Sequence, residues 1–216
     1  MGINKTAIIA IDMQKGFSTL CPNELPVNFD IKKMVDNFNE LRKMGDYIVG
    51  SKDCHPPNAI HIASKEHPQF SPIVNGGDNV DIYWNAHCIV GTEGNELLPG
   101  MPKVEDFDFF VYKGIQPNLH PYGFTAHDLQ GKISTGVIEW LKYNNVYDCI
   151  MCGIATDYCL STSAIQLALA GFHVIVVLEA SAGISPDTIK LAIDKMKSNH
   201  ITVVDTISEV YTMMFK

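Results

Sequence analysis

Residues 148–171 read DCIMCGIATDYCLSTSAIQLALAG. Residues 148–153 form a continuous apolar run without polar alternation, the pattern of a strand buried on both faces. Residues 159–170 are rich in small and apolar side chains, have the length of a helix, and stop at Gly171, which suits the left-handed turn after a helix. Between them, Gly153-Ile154-Ala155-Thr156-Asp157-Tyr158-Cys159 sets a cysteine at the opening of that helix. A second apolar strand follows at residues 173–178. Strand, helix and strand in this order predict a parallel sheet covered by helices.

The same alternation extends in both directions. Upstream, residues 6–11 are a β-branched apolar strand, and residues 31–44 carry apolar side chains at helical spacing up to Gly45. Strands are expected at residues 47–51 and 108–112, and a helix at residues 133–143. Residues 56–102 lack periodicity and are rich in Pro, Gly, Asn and His; a connection this long is more often functional than idle. Downstream, Ser185-Pro186 supplies a helix cap and a first-turn proline for a helix reaching Ser198. A sixth strand at residues 201–204 and a short final helix complete the pattern. The expected architecture is α/β: one domain over residues 1–216, a three-layer doubly wound sheet of six mainly parallel strands with helices on both faces.

Composition narrows the function. The chain has 216 residues, 46% hydrophobic and 19% charged, which fits one globular core. Its net charge of −8 and lack of any basic run argue against a nucleic-acid partner. No apolar stretch approaches the ~20 residues needed to span a bilayer. The opening residues do not resemble a secretory signal, so the expected compartment is the cytosol, where thiols stay reduced. The six cysteines, Cys21, Cys54, Cys88, Cys149, Cys152 and Cys159, do not group into zinc-finger ligand pairs. Cys149 and Cys152 have C-x-x-C spacing but lie within an apolar run, and read as buried strand.

Open α/β sheets bind ligands at the carboxyl ends of their strands. There the predicted strands deliver Asp12, Asp53 with His55, Lys113, and the turn ending at Cys159. Alone, each has a bland reading: a capping Asp, a surface Lys, a small buried Cys. Together they form a nucleophile set, in which Asp12 takes the thiol proton and Lys113 stabilises the remaining charges. A thiol at a helix N-terminus is expected to have a lowered pKa. Asp53 and His55 stand two apart and point the same way on an extended segment. With His61 and His87 they make an N/O ligand set for a divalent transition metal. His67, His120, His127, His173 and His200 have no comparable company in the sequence.

These residues resemble the nicotinamidase/pyrazinamidase group of the isochorismatase-like cysteine hydrolases. The resemblance runs from about Ala7 to Val204. It rests on Asp12-Met13-Gln14-Lys15-Gly16-Phe17, Ser51-Lys52-Asp53-Cys54-His55-Pro56, Trp84-Asn85-Ala86-His87-Cys88-Ile89-Val90-Gly91-Thr92, Tyr112-Lys113-Gly114 and the turn ending at Cys159. It implies a catalytic triad of Asp12, Lys113 and Cys159, and a cis peptide at Ile154–Ala155. It also implies an oxyanion hole from the N–H groups of Ala155 and Cys159. Phe17 and Trp84 match aromatic walls around a pyridine ring, with Ile154 beside them. Asp53, His55 and His87 match metal ligands, with His61 a fourth. The implied cofactor is one divalent ion, zinc first and iron or manganese as alternatives. The implied substrate is nicotinamide, hydrolysed for NAD salvage with pyrazinamide also accepted, and a homo-oligomer is compatible with the family. Two positions depart from the pattern: the family often has Trp where Cys54 stands, and its next histidine often follows His55 by four residues rather than six. Another amidase or ureido hydrolase would need the triad but not the histidines. A catalytically dead scaffold would need neither. Isochorismatase itself cleaves a vinyl ether without a cysteine. A dinucleotide-binding reading fails because no G-x-G-x-x-G follows the first strand.

Overall fold

Six strands build the centre of the molecule: β1 (Lys5–Ile11), β2 (Tyr47–Asp53), β3 (Phe109–Lys113), β4 (Val146–Ile154), β5 (His173–Ala182) and β6 (Thr202–Val204). A computed structural model describes residues 4–74 and 79–215. The strand order is β3-β2-β1-β4-β5-β6, and every pair is parallel. Successive side chains of a strand point to opposite faces, so each buried strand feeds two cores. On one face Ile8, Ala10, Ile150, Cys152, Ile175 and Val177 pack with Met34, Val35, Phe38 and Leu41 of α1 (Ile31–Leu41) and Val210 of α5 (Ile207–Phe215). On the other, Ala7, Ile9, Ile11, Cys149, Met151, Val174 and Val176 pack with Val137 and Leu141 of α2 (Val137–Tyr143), Ala164 and Leu167 of α3 (Ser161–Leu169) and Met196 of α4 (Pro186–Ser198). Helices thus cover both faces. Cys149 and Cys152 are buried in β4 and serve opposite cores, an arrangement that keeps the C-x-x-C pair apart.

The helix termini follow their sequence signals. Asp30 caps α1 by accepting from the Lys33 N–H at 2.9 Å, and Ser185 caps α4 by accepting from Thr188 at 3.3 Å. Several boundaries differ from expectation, three of them with a bearing on the site or its cover. Helix α2 starts at Val137 rather than at residue 133, because Gly136 has φ +84° and Ser134 pairs antiparallel with Ala126. Strand β5 runs on to Ala182, where it still pairs with Ile154. A π-helical turn, Thr156–Leu160, precedes α3 and contains Cys159.

Strands β1 and β4 sit side by side, with Ile11 opposite Gly153. A Cβ at Gly153 would collide with the Ile11 carbonyl, and its φ of +125° is a conformation only glycine adopts freely. The chain leaves β1 toward β2 and β3 and leaves β4 toward β5 and β6. The β1/β4 boundary is therefore the switch point at which open α/β sheets form their crevice. No helix among the described residues is long and apolar enough to cross a membrane.

Candidate active site

Register brings the predicted nucleophile set together at that switch point. Asp53 and Lys113 are direct partners across β2 and β3, and Asp12 follows β1 with its N–H bonded to Ser51 O at 3.1 Å. The Lys113 ammonium is wholly buried. It reaches Asp12 Oδ2 at 2.7 Å, Asp53 Oδ1 at 2.8 Å, the Tyr122 carbonyl at 3.2 Å and Cys159 Sγ at 3.5 Å. Ser51 donates to Asp12 Oδ1 at 2.7 Å. A carboxylate oxygen of Asp12, one of Asp53 and the Cys159 sulfur lie within 4.8 Å of one another.

The charges are sharply tuned. Burial, aided by Asp53 and opposed by Lys113, pushes the Asp12 carboxyl up to about 6. Burial would raise Asp53 too, but the Lys113 ammonium and His55 outweigh it and hold that carboxyl well below its usual range. Burial opposes the ammonium of Lys113, yet Asp12 and Asp53 hold its pKa well above the ordinary value. Cys159 corrects the sequence expectation of a lowered thiol pKa. Burial and the two nearby carboxylates outweigh Lys113 and raise it well above the usual value. The resting group is a neutral thiol beside a carboxylate able to take its proton. A cis peptide joins Ile154 to Ala155 ahead of this turn, as the resemblance implied.

A histidine cluster adjoins the set. The two oxygens of Asp53 divide their work: Oδ1 holds Lys113, while Oδ2 lies 3.6 Å from His55 Nε2 and 3.9 Å from His87 Nε2. His87 Nδ1 is engaged by the Asn85 carbonyl at 2.7 Å, which leaves Nε2 to face the cluster. Nitrogens of His55, His87 and His120 lie within 4.8 Å of one another. His120 therefore has the company that the sequence withheld. His61 is buried next to them, its ring 4.7 Å from His55 and 4.1 Å from His120. Gln14 and Asn95, also unnoticed in the sequence, clamp the backbone of Asp53. Gln14 Oε1 accepts from its N–H at 2.7 Å, and Asn95 Nδ2 donates to its carbonyl at 2.7 Å.

These donors fit a divalent metal. Both His55 nitrogens and the Nδ1 atoms of His61 and His120 are buried without a hydrogen-bond partner, a costly state unless something is bound. Burial, then neighbouring imidazoles, pushes His61 down to about 3 and His87 down to about 4, so both are neutral, as a ligand must be. Gly114 makes the cluster possible. Its φ is +66°, and an added Cβ would stand 2.5 Å from the His55 ring. Gly114→Ala is expected to cost about 1–3 kcal/mol in backbone strain and to push His55 aside. Denaturant unfolding and zinc titration together check this; wild-type values in both would show that the site tolerates a side chain here.

Cys159 opens into the same cleft as His87 and His120 of the cluster. Phe17, Trp84, His87, His120, Ala155 and Asp53 line it, together with Leu25, Tyr122, Tyr158 and Ile184, which the sequence reading did not single out. The Tyr158 ring meets Trp84 edge-on at 4.9 Å. Ile154, expected in the wall, is fully buried in the core and is not part of the lining.

Residues 6–208 match the isochorismatase domain family. The chain belongs to that family. Within its wider set of relatives, the chain is 28% identical over 183 residues to the nicotinamidase of Acinetobacter baylyi, covering 84% of this chain and 83% of that protein. The solved nicotinamidase/pyrazinamidase of Acinetobacter baumanii shares the fold with a TM-score of 0.85 at 24% identity, covering 95% of this chain and 98% of that one. The pyrazinamidase of Pyrococcus horikoshii, solved in complex with zinc, superposes with a TM-score of 0.72 at 28% identity, covering 94% and 99%.

Proposed function

We propose that this isochorismatase-family chain is a nicotinamidase, hydrolysing nicotinamide to nicotinate and ammonia, with the whole chain acting as one catalytic domain. The observation that carries the reading is the shared cleft. The Cys159 thiol, backed by Lys113 and Asp12, lines the same cleft as Asp53, His87 and His120, between Phe17 and Trp84. The nicotinamidase and pyrazinamidase relatives support it. Asp53, His55 and His87 would hold a divalent ion, zinc by likeness to the Pyrococcus horikoshii structure. When bound, such an ion is a Lewis acid able to hold the ring nitrogen of a pyridine carboxamide.

The chain's own residues account for the covalent steps. Asp12 takes the thiol proton as Cys159 Sγ attacks the amide carbonyl, forming a C–S bond. The N–H groups of Ala155 and Cys159 stabilise the oxyanion. The C–N bond breaks, and Asp12 returns the proton to the leaving ammonia. A water, deprotonated by Asp12, then attacks the thioester, releasing nicotinate and restoring the thiol. Lys113 keeps Asp12 and Asp53 in place and offsets their charge.

Ammonia release from nicotinamide by the purified protein, before and after chelator treatment, tests the reading. Turnover that falls on chelation and returns with zinc, while the melting temperature moves little, is expected. Metal-replete protein inactive on both nicotinamide and pyrazinamide would move the substrate to another amide or ureido compound.

A pH profile tests Asp12 as base. It must be ionised to accept the thiol proton, and its carboxyl sits at about 6, raised by burial and by Asp53 against Lys113, with the Cys159 thiol also facing it. A base active only when deprotonated gives a kcat/KM that falls as pH drops below about 6 and levels off above it. A flat profile from pH 5 to 8 would exclude that role.

A further inference from the structure

Four histidines crowd one side of the cleft, but they are not equivalent. His55, His87 and His120 are the three whose nitrogens converge within 4.8 Å; His61 does not belong to that set among the described residues. His55 and His120 rings stand 5.4 Å apart, and His120 is buried with an unpartnered Nδ1. The His120 backbone is tied down on the far side by its N–H to the Asn79 carbonyl at 2.9 Å, and its ring borders the cleft together with His87. The His61 ring is against that of His120 at 4.1 Å, tilted by 36°, and its backbone carbonyl receives the Trp84 N–H at 2.8 Å. His120 offers a nitrogen to the converging set, whereas His61, whose Nδ1 is likewise unpartnered, falls outside that set and packs its ring against His120 and His55, where it can fix the orientation of both.

We propose that His120 supplies the third imidazole of the metal site, joining Asp53, His55 and His87, and that His61 is the packing support of His120 rather than a ligand. His120 comes from the β3–α2 connection, so the donors would be drawn from that connection as well as from β2 and the long connection between β2 and β3. This inference rests on the reading that the cluster holds a divalent ion.

The test compares zinc binding by metal-stripped wild-type, His120→Asn and His61→Asn proteins, using competition with a chromophoric chelator, and records the visible spectrum of each cobalt(II)-loaded form. Loss of a residue that only supports a ligand can itself lower affinity about 10–100-fold, so loss of a direct donor is read from a larger fall together with a changed cobalt band. His120→Asn is expected to show that loss and a changed cobalt band, while His61→Asn keeps the wild-type band. The melting temperature of each metal-free variant checks that it folds, and His120→Gln serves if the asparagine variant does not. Wild-type zinc affinity and an unchanged cobalt spectrum in a folded His120 variant would overturn the assignment. So would a changed band in His61→Asn alone. Wild-type protein that takes up no zinc would instead remove the metal reading itself, and the assignment with it.

Discussion

Replacing Cys159 with alanine is expected to abolish ammonia release from nicotinamide, lowering kcat by about 10⁴-fold or more, as loss of a nucleophile does in other covalent hydrolases. The sulfur lies 3.5 Å from the Lys113 ammonium and within 4.8 Å of a carboxylate oxygen of Asp12. Asp12 would retain a proton acceptor's charge with nothing to deprotonate. The fold should survive. Cys159 adds one sulfur to a core built mostly from Ile, Val, Leu and Phe, so its loss costs on the order of 1 kcal/mol, comparable to one buried methylene. The check is turnover beside a denaturant midpoint on the same preparation. A stable, folded Cys159→Ala protein that still releases ammonia at the wild-type rate would place the nucleophile elsewhere.

The second large effect is on stability. Lys113→Met should destabilise the metal-free protein by about 3–5 kcal/mol, the range seen when one partner of a buried ion pair is removed. The reason is the asymmetry of the cluster. One buried ammonium answers two buried carboxylates at 2.7 and 2.8 Å, and methionine would fill the space but leave both negative charges facing each other. The double variant Lys113→Met/Asp53→Asn should regain part of the loss, because one of the stranded charges is gone. Urea unfolding of the single and double variants decides it. A single variant within 1 kcal/mol of wild type would mean that water or protonation relieves the carboxylates more cheaply than the geometry suggests. Activity should vanish in both.

The sequence displayed the scaffold because parallel strands buried on two faces have an unmistakable apolar run and helices cover them at a regular spacing. Residues 148–153 and 173–178 predicted β4 and β5, and Ser185-Pro186 marked the start of α4. Lys113, Asp53 and Asp12 were legible for a related reason. They end consecutive strands, and register alone fixes their mutual position. His120 escaped because nothing local marks it. It lies 33 residues beyond His87 in a connection that doubles back over the cleft, so its place in the cluster is set by tertiary packing and not by spacing. Tyr122, Tyr158 and Ile184 line the cleft for the same reason. The thiol's raised pKa was equally invisible. A helix N-terminus predicts the sign of one contribution, but burial and two carboxylates, which only the fold brings near, decide the sum.

The placement of Asp12 just after β1 and of Cys159 in the turn beyond β4 has a consequence for how the molecule comes to work during folding. Their residues are 147 positions apart in sequence, yet they meet only because β4 lies against β1, a pairing that closes a very long loop. Closing a loop of that length costs chain entropy before its contacts repay it, so this pairing is slow beside local helix formation. A truncated chain ending before β4 would carry Asp12, Asp53, Lys113 and all the clustered histidines, but no nucleophile and an uncovered edge on its central strand. Regain of turnover after dilution from denaturant is thus a clock for one event, the seating of β4 on β1, while far-ultraviolet dichroism reports the helices that formed before it.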